Sequence, residues 1–236
     1  MKKILITQSN YIPWKGYFDA INMADEMILF DDMQYTKRDW RNRNMIKTAQ
    51  GSQWLSIPVE VKGKYFQKIC DTVISDKDWA KNHWKTISLN YSKSCYFKDF
   101  KEVFEDLFLS CNETHLSKIN FGFINAINKI LDIKTKISWS SEYELLDGKT
   151  ERLVSLCKTV GATEYLTGPA AKNYLDENLF LQENIKITYL NYGDYPEYNQ
   201  LYPPFTHTVS VIDLILNEGN KAKIFMKSFL PTNTLN

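Results

Sequence analysis

The first thirty residues constrain the fold more than any other part of the chain. An apolar run, KILIT (residues 3–7), is followed by Tyr17, Phe18, Ala20, Ile21 and Ala24, which fall on one face of a helix, and then by a second apolar run, EMILF (26–30). A strand, a helix and a strand within so short a span have the size of a parallel crossover. The opening MKKILIT has the charge of a signal peptide, but its apolar core is far shorter than such a leader requires. No window approaches the roughly 18 apolar residues of a membrane span. The expectation is a soluble cytoplasmic protein.

The rest of the chain extends this pattern. QWLSIPVE predicts a strand near 53–59, with Pro58 pushing it toward an edge or its end. Three helical stripes follow: Ala80, Trp84, Ile87 and Tyr91; then Phe97, Phe100, Phe104, Leu107 and Phe108; then Leu116, Ile119, Phe123, Ile127 and Ile130. Strand signals return at 136–140, 164–168 and 185–190. A helix through Leu153, Val154, Leu156, Cys157 and Val160 is stopped by Gly161, and a last helix covers 209–219. The sequence therefore predicts an α/β fold: a mostly parallel, Rossmann-like sheet in a single domain over 1–236, with a helical insertion at about 76–132.

Charge narrows the function classes. The 29 Lys and Arg residues balance 28 Asp and Glu, so no global field recruits nucleic acid or membrane, and anion binding has to come from a local cluster. The four cysteines, Cys70, Cys95, Cys111 and Cys157, have no CxxC spacing and make no zinc pattern with the three histidines. They read as buried free thiols in a reducing compartment.

In an open parallel sheet, ligands bind beyond the carboxyl ends of the strands near the switch point. That rule brings three segments to one rim. QSNYIPWKGY supplies Gln8, Asn10, Trp14 and Tyr17, amide groups and flat faces suited to a sugar or nucleobase, with Gly16 where a helix should begin. DDMQYTKRDWRNRN packs Lys37, Arg38, Arg41 and Arg43 into seven residues, a set able to clamp phosphates, with Asp31 or Asp32 at a strand end and Asn42 and Asn44 alternating with the arginines. TGPAAKNYLD adds a Gly-Pro turn and Lys172. The tyrosine- and proline-rich run 192–205 reads as an ordered loop over the cleft. His83 reads either as a core histidine or as a general acid or base. There is no GxGxxG, no GxxxxGK[ST] and no GxSxG.

Taken together, QSNYIPWKGYF, LFDDMQYTKRDWRNRN, WLSIPV, TERLVSLCKTVGATEYLTGPAAKNYLD and SVIDLILNEG resemble the WbqC-like protein family, nearly end to end. The resemblance implies a place in bacterial O-antigen or other surface-polysaccharide biosynthesis, and a glycine (aminoacyl) transferase role has been suggested within that family. A weaker likeness links the amino terminus to the nucleotidylyltransferase-like class that includes pantothenate synthetase. Trp14-Lys15-Gly16-Tyr17 matches its HxGH turn with both histidines replaced, and Gln34 stands where a substrate-holding glutamine would.

The expectation is a transferase joining an amino acid or related acyl group to the amine of a nucleotide-linked amino sugar. Arg38, Arg41 and Arg43 would hold phosphates, with Lys37, Asn44 and Lys172 beside them. Gln8, Asn10 and Gln34 would orient substrates, and Asp32 or His83 would act as base. ATP with magnesium enters if the acyl group is activated by adenylylation; no resident cofactor or metal is implied. The alternatives are another nucleotide-sugar-modifying or glycosyl-transferring enzyme, and a module that reads RNA through the arginine-rich loop, which the neutral net charge disfavours.

Overall fold

The computed structural model of the protein describes residues 1–230. In chain order its elements are β1 (Lys3–Thr7), α1 (Lys15–Asn22), β2 (Glu26–Leu29), β3 (Arg43–Thr48), β4 (Gly51–Ser56), α2 (Trp79–Tyr91), α3 (Phe97–Leu109), α4 (Leu116–Ile130), β5 (Lys136–Trp139), α5 (Thr150–Thr159), β6 (Glu164–Thr167), α6 (Glu177–Gln182), β7 (Lys186–Tyr189) and α7 (Val211–Glu218), with short 3-10 turns between and after them.

Five strands form one sheet in the order β5-β2-β1-β6-β7, every neighbouring pair parallel. The chain builds outward from β1 through β2 to β5, then returns across β1 to lay down β6 and β7. The direction therefore reverses between β1 and β6, which is the switch point of a doubly wound sheet. Each central strand is buried on both faces, as parallel strands are. Leu5, Met27, Leu29 and Leu166 join a core containing residues of α1, α2, α3, α4 and α7. Ile4, Ile6, Ile28, Phe30 and Tyr165 face the opposite way, into a smaller core with Leu153, Val154, Leu156 and Cys157 of α5 and Phe180 of α6.

The crossover from β2 to β5 carries the helical insertion, with α2 to α4 spanning 79–130 as the periodicity predicts. It also carries an antiparallel hairpin. The strand expected near 53–59 is β4, at 51–56, and it pairs with β3 across a two-residue turn, away from the main sheet. β3 occupies the end of what reads in sequence as a charged loop. Its inward residues include Asn44, Lys47 and Thr48, buried polar groups with protein partners, so no apolar alternation marks it.

The thiols differ from expectation. Cys157 is buried, but Cys70 and Cys111 are only half-buried and Cys95 is exposed, because it lies in the short turn between α2 and α3.

Candidate functional site

A cavity of about 770 Å³ opens at the switch point, above the carboxyl ends of β1 and β6. Thr7 and Gln8 end β1 on its floor, and Thr167 and Gly168 end β6 beside them. Tyr17 comes from α1, where its hydroxyl donates to the Gln8 carbonyl at 3.0 Å. Arg41 enters from the segment after β2, Lys149 and Arg152 from the start of α5, and Tyr174 from the turn after β6. Tyr192, the first residue of the tyrosine-rich loop, closes one side. All three segments that the sequence directs to one rim thus contribute to this lining.

The electrostatics are one-sided. Three cations and four tyrosines (Tyr17, Tyr165, Tyr174 and Tyr192) line the cavity, and among the described residues there is no Asp, Glu or His in the lining. Burial pushes the Tyr17 hydroxyl well above its ordinary range and raises those of Tyr174 and Tyr192, so these groups act as neutral donors. Arg152 donates through Nε to the Leu146 carbonyl at 2.7 Å, and its Nη2 stands 4.0 Å from the exposed Asp147. Arg41 donates to Asn10 Oδ1 and lies 3.8 Å from Asp39, while its buried Nε has no acceptor. Arg41 is thus half-buried, with one buried N–H left unmatched.

The WKGY turn is built for close approach. The Trp14 ring lies over Gly16, where a Cβ would come within 2.3 Å of it, and meets the Tyr192 and Tyr195 rings edge-on at 5.5 Å each. Lys15 is buried. Its Nζ donates to the Pro196 carbonyl at 2.8 Å and stands 5.2 Å from the Tyr195 and Tyr198 ring centroids, and burial pulls its pKa down to about 8. The turn therefore anchors the loop beside the cavity and offers no cation to a triphosphate.

Several sequence candidates lie outside the lining. Asp32 pairs with Lys68 at 3.2 Å and accepts from Ser140 at 2.6 Å. Gln34 donates to the Tyr65 carbonyl, and Lys37 and Arg38 are exposed. Arg43 stacks on Trp54 at 4.1 Å and donates to the Arg38 carbonyl. Asn44 is buried, donating to the carbonyls of Tyr11 and Ile12. Lys172 sits over the Tyr189 ring at 4.8 Å. His83 is a core group: it bonds the Tyr11 hydroxyl at 2.8 Å and packs edge-on to Trp79, and burial pulls it down to about 4.

Sequence reasoning missed Lys149 and Arg152. Their signal is Gly148-Lys149-Thr150 at a helix start, the tail of a phosphate loop without its upstream glycine. Tyr174 lies within the TGPAAKNYLD segment directed to the rim, whereas Tyr165 carries no local mark.

The model of the WbqC-like protein family matches residues 8–224, a span that contains every rim segment described above. The chain belongs to the WbqC-like protein family. This WbqC-like protein is 48% identical over 227 residues to Uncharacterized protein Rv1507c of Mycobacterium tuberculosis (strain ATCC 25618 / H37Rv), covering 96% of this chain and 98% of the other. No solved structure matches it. Among its described residues no helix is long and apolar enough to cross a membrane, and no group of three or more His, Cys, Asp or Glu side chains is arranged to hold a metal ion.

Proposed function

We propose that this WbqC-like protein is a transferase that binds a nucleotide-linked amino sugar at the switch-point cavity and joins an amino acid or related acyl group to the sugar amine, in bacterial surface-polysaccharide biosynthesis. The observation that carries the binding half is a cavity of about 770 Å³ with Arg41, Lys149, Arg152 and four tyrosines in its lining. Cations match a diphosphate, and tyrosine faces and hydroxyls match a base and a sugar. The acyl half rests on the family.

In that reaction the amine nitrogen bonds to the acyl carbon, the activating group departs with the electron pair of the bond it breaks, and the nitrogen loses a proton. Neither Asp32 nor His83 lines the cavity, so the proton would leave on the departing group or on water. The chain's own part is then to bind and orient, which is a large share of the barrier when two substrates must meet.

Calorimetric titration with uridine diphosphate and with a nucleotide-linked amino sugar tests the grip. Arg152→Ala should weaken both by about ten- to a hundredfold, the loss of a charge-assisted contact. Binding of neither ligand to wild type, or equal binding to the variant, would sink the reading. Mass spectrometry of a mixture with a panel of activated acyl donors then tests amide formation.

One observation favours a second reading. Arg38, Arg43, Trp40 and Trp54 gather outside the cavity, with the two indoles 5.3 Å apart, an arrangement on which RNA bases could stack. Salt-sensitive binding of single-stranded RNA that Arg152→Ala leaves unchanged and Trp54→Ala removes would support it.

A further inference from the structure

Four polar side chains sit in the core beneath the rim, and none of them lines the cavity. Ser9 and Asn120 are fully buried, Asp31 is 1% and Ser117 2% exposed. Ser9 follows β1 and Asp31 follows β2, while Ser117 and Asn120 are three apart on α4 and so share one helix face. The Ser9 N–H donates to Asp31 Oδ1 at 2.7 Å, and the Ser117 hydroxyl donates to Oδ2 of the same carboxylate. Asn120 Nδ2 bridges two acceptors, Ser9 Oγ at 3.0 Å and the Arg41 carbonyl at 2.9 Å. Arg41 is thus gripped twice, through its backbone by Asn120 and through its guanidinium by Asn10.

Stability alone gives little reason for this arrangement. A helix packed on a sheet buries apolar side chains by default, and replacing buried charged groups by well-packed hydrophobic residues of the same volume is often neutral or stabilising. Asn120 Oδ1 even lacks a partner. What the set does achieve is geometric: it ties α4 to the ends of β1 and β2 and to the residue that carries a guanidinium into the cavity.

We infer that Asn120 is a positioning residue for Arg41, and that through it the helical insertion sets the anion affinity of the cavity without touching the ligand. The inference rests on the reading of the cavity as an anion site.

The test is a double-mutant cycle with inorganic pyrophosphate as probe, measured calorimetrically on wild type, Asn120→Ala, Arg41→Ala and the double variant. Asn120→Ala should weaken pyrophosphate by about five- to tenfold, the scale of one lost hydrogen bond, and should have no further effect once Arg41 is alanine. Additive losses, or wild-type affinity in Asn120→Ala, would overturn the inference. If Asn120→Ala does not fold, Asn120→Ser takes its place with the same expected direction. A ligand-free readout separates the two readings: the NMR signal of Arg41 Nε–H should shift and exchange faster with solvent in Asn120→Ala. If wild type ignores pyrophosphate, the anion reading fails whatever this signal does. If the signal is unchanged, the positioning role fails.

Discussion

His83 is neutral in the fold because its ring is buried between Trp79 and Tyr11, and that neutrality has a consequence in solution. Its pKa falls from 6.5 to about 4, chiefly by desolvation. Below pH 6.5 the unfolded chain takes up a proton that the native ring refuses until about pH 4, so stability is present above that window and drains away as pH falls through it. The loss should amount to about 3 kcal/mol. Urea denaturation between pH 7.5 and pH 4 should show the decline, and His83→Gln should flatten it. Thiol chemistry separates at the same scale. Burial raises Cys111, pushes Cys70 up to about 11 and Cys157 up to about 12, whereas Cys95 is exposed. A disulfide reagent added to native protein should consume one thiol rapidly, and Cys95→Ser should remove that fast phase. The sequence offered a core histidine as one of its two readings of His83, and the structure bears that one out; it carried no sign that Cys95 is exposed.

Among the elements, the β3–β4 hairpin is the one whose polar interior hides its role. Asn44 donates to the carbonyls of Tyr11 and Ile12 at 3.2 and 2.9 Å, holding a turn in which Ile12 has φ of +36°, an uncommon conformation for a β-branched residue. Asn44→Ala leaves two buried acceptors without that donor and should lower the unfolding free energy by about 1–3 kcal/mol, read from chemical denaturation. The WKGY turn carries a second prediction. A methyl at position 16 collides with the Trp14 ring, so Gly16→Ala should displace the indole from Tyr192 and weaken uridine diphosphate binding while changing Trp fluorescence. A fold-preserving variant with unchanged affinity would show that this aromatic wall plays no part in the site. Elements with an apolar face, such as α3 and α4, were readable because burial of that face is what forms them. β3 was not, because all of its buried residues except Ile46 are polar, and Asn44 and Lys47 find partners on α2 and in the turns before α1 and α7.

At the scale of the whole molecule, ligand binding and folding are one equilibrium. A ligand at a hundred times its dissociation constant adds about 2.7 kcal/mol to the stability of the native state. For a chain of this length that should raise the melting temperature by about 5–10 °C, and the ten- to hundredfold weaker binding of Arg152→Ala should cut the added stability to about 0.4–1.4 kcal/mol at the same ligand concentration, with the rise reduced in proportion. An undiminished rise in Arg152→Ala would place the ligand elsewhere.

The division between sequence and structure follows from the range of the forces involved. The sequence by itself determined the strands of the main sheet, the three amphipathic helices between β2 and β5 and the convergence of three segments on one rim, since apolar periodicity is local and parallel crossovers have few arrangements. It also placed Gln8, Tyr17 and Arg41 among the candidates that do line the cavity. Only the tertiary structure decided that Arg43 stacks on Trp54, that Asn44 and Lys15 hold loops, and that Lys149 and Arg152 complete the cationic wall. Residues 41 and 152 are far apart in the chain, and what brings their charges to one cavity is the winding of the sheet about its switch point. No local pattern encodes that meeting; the packing of both sheet faces does.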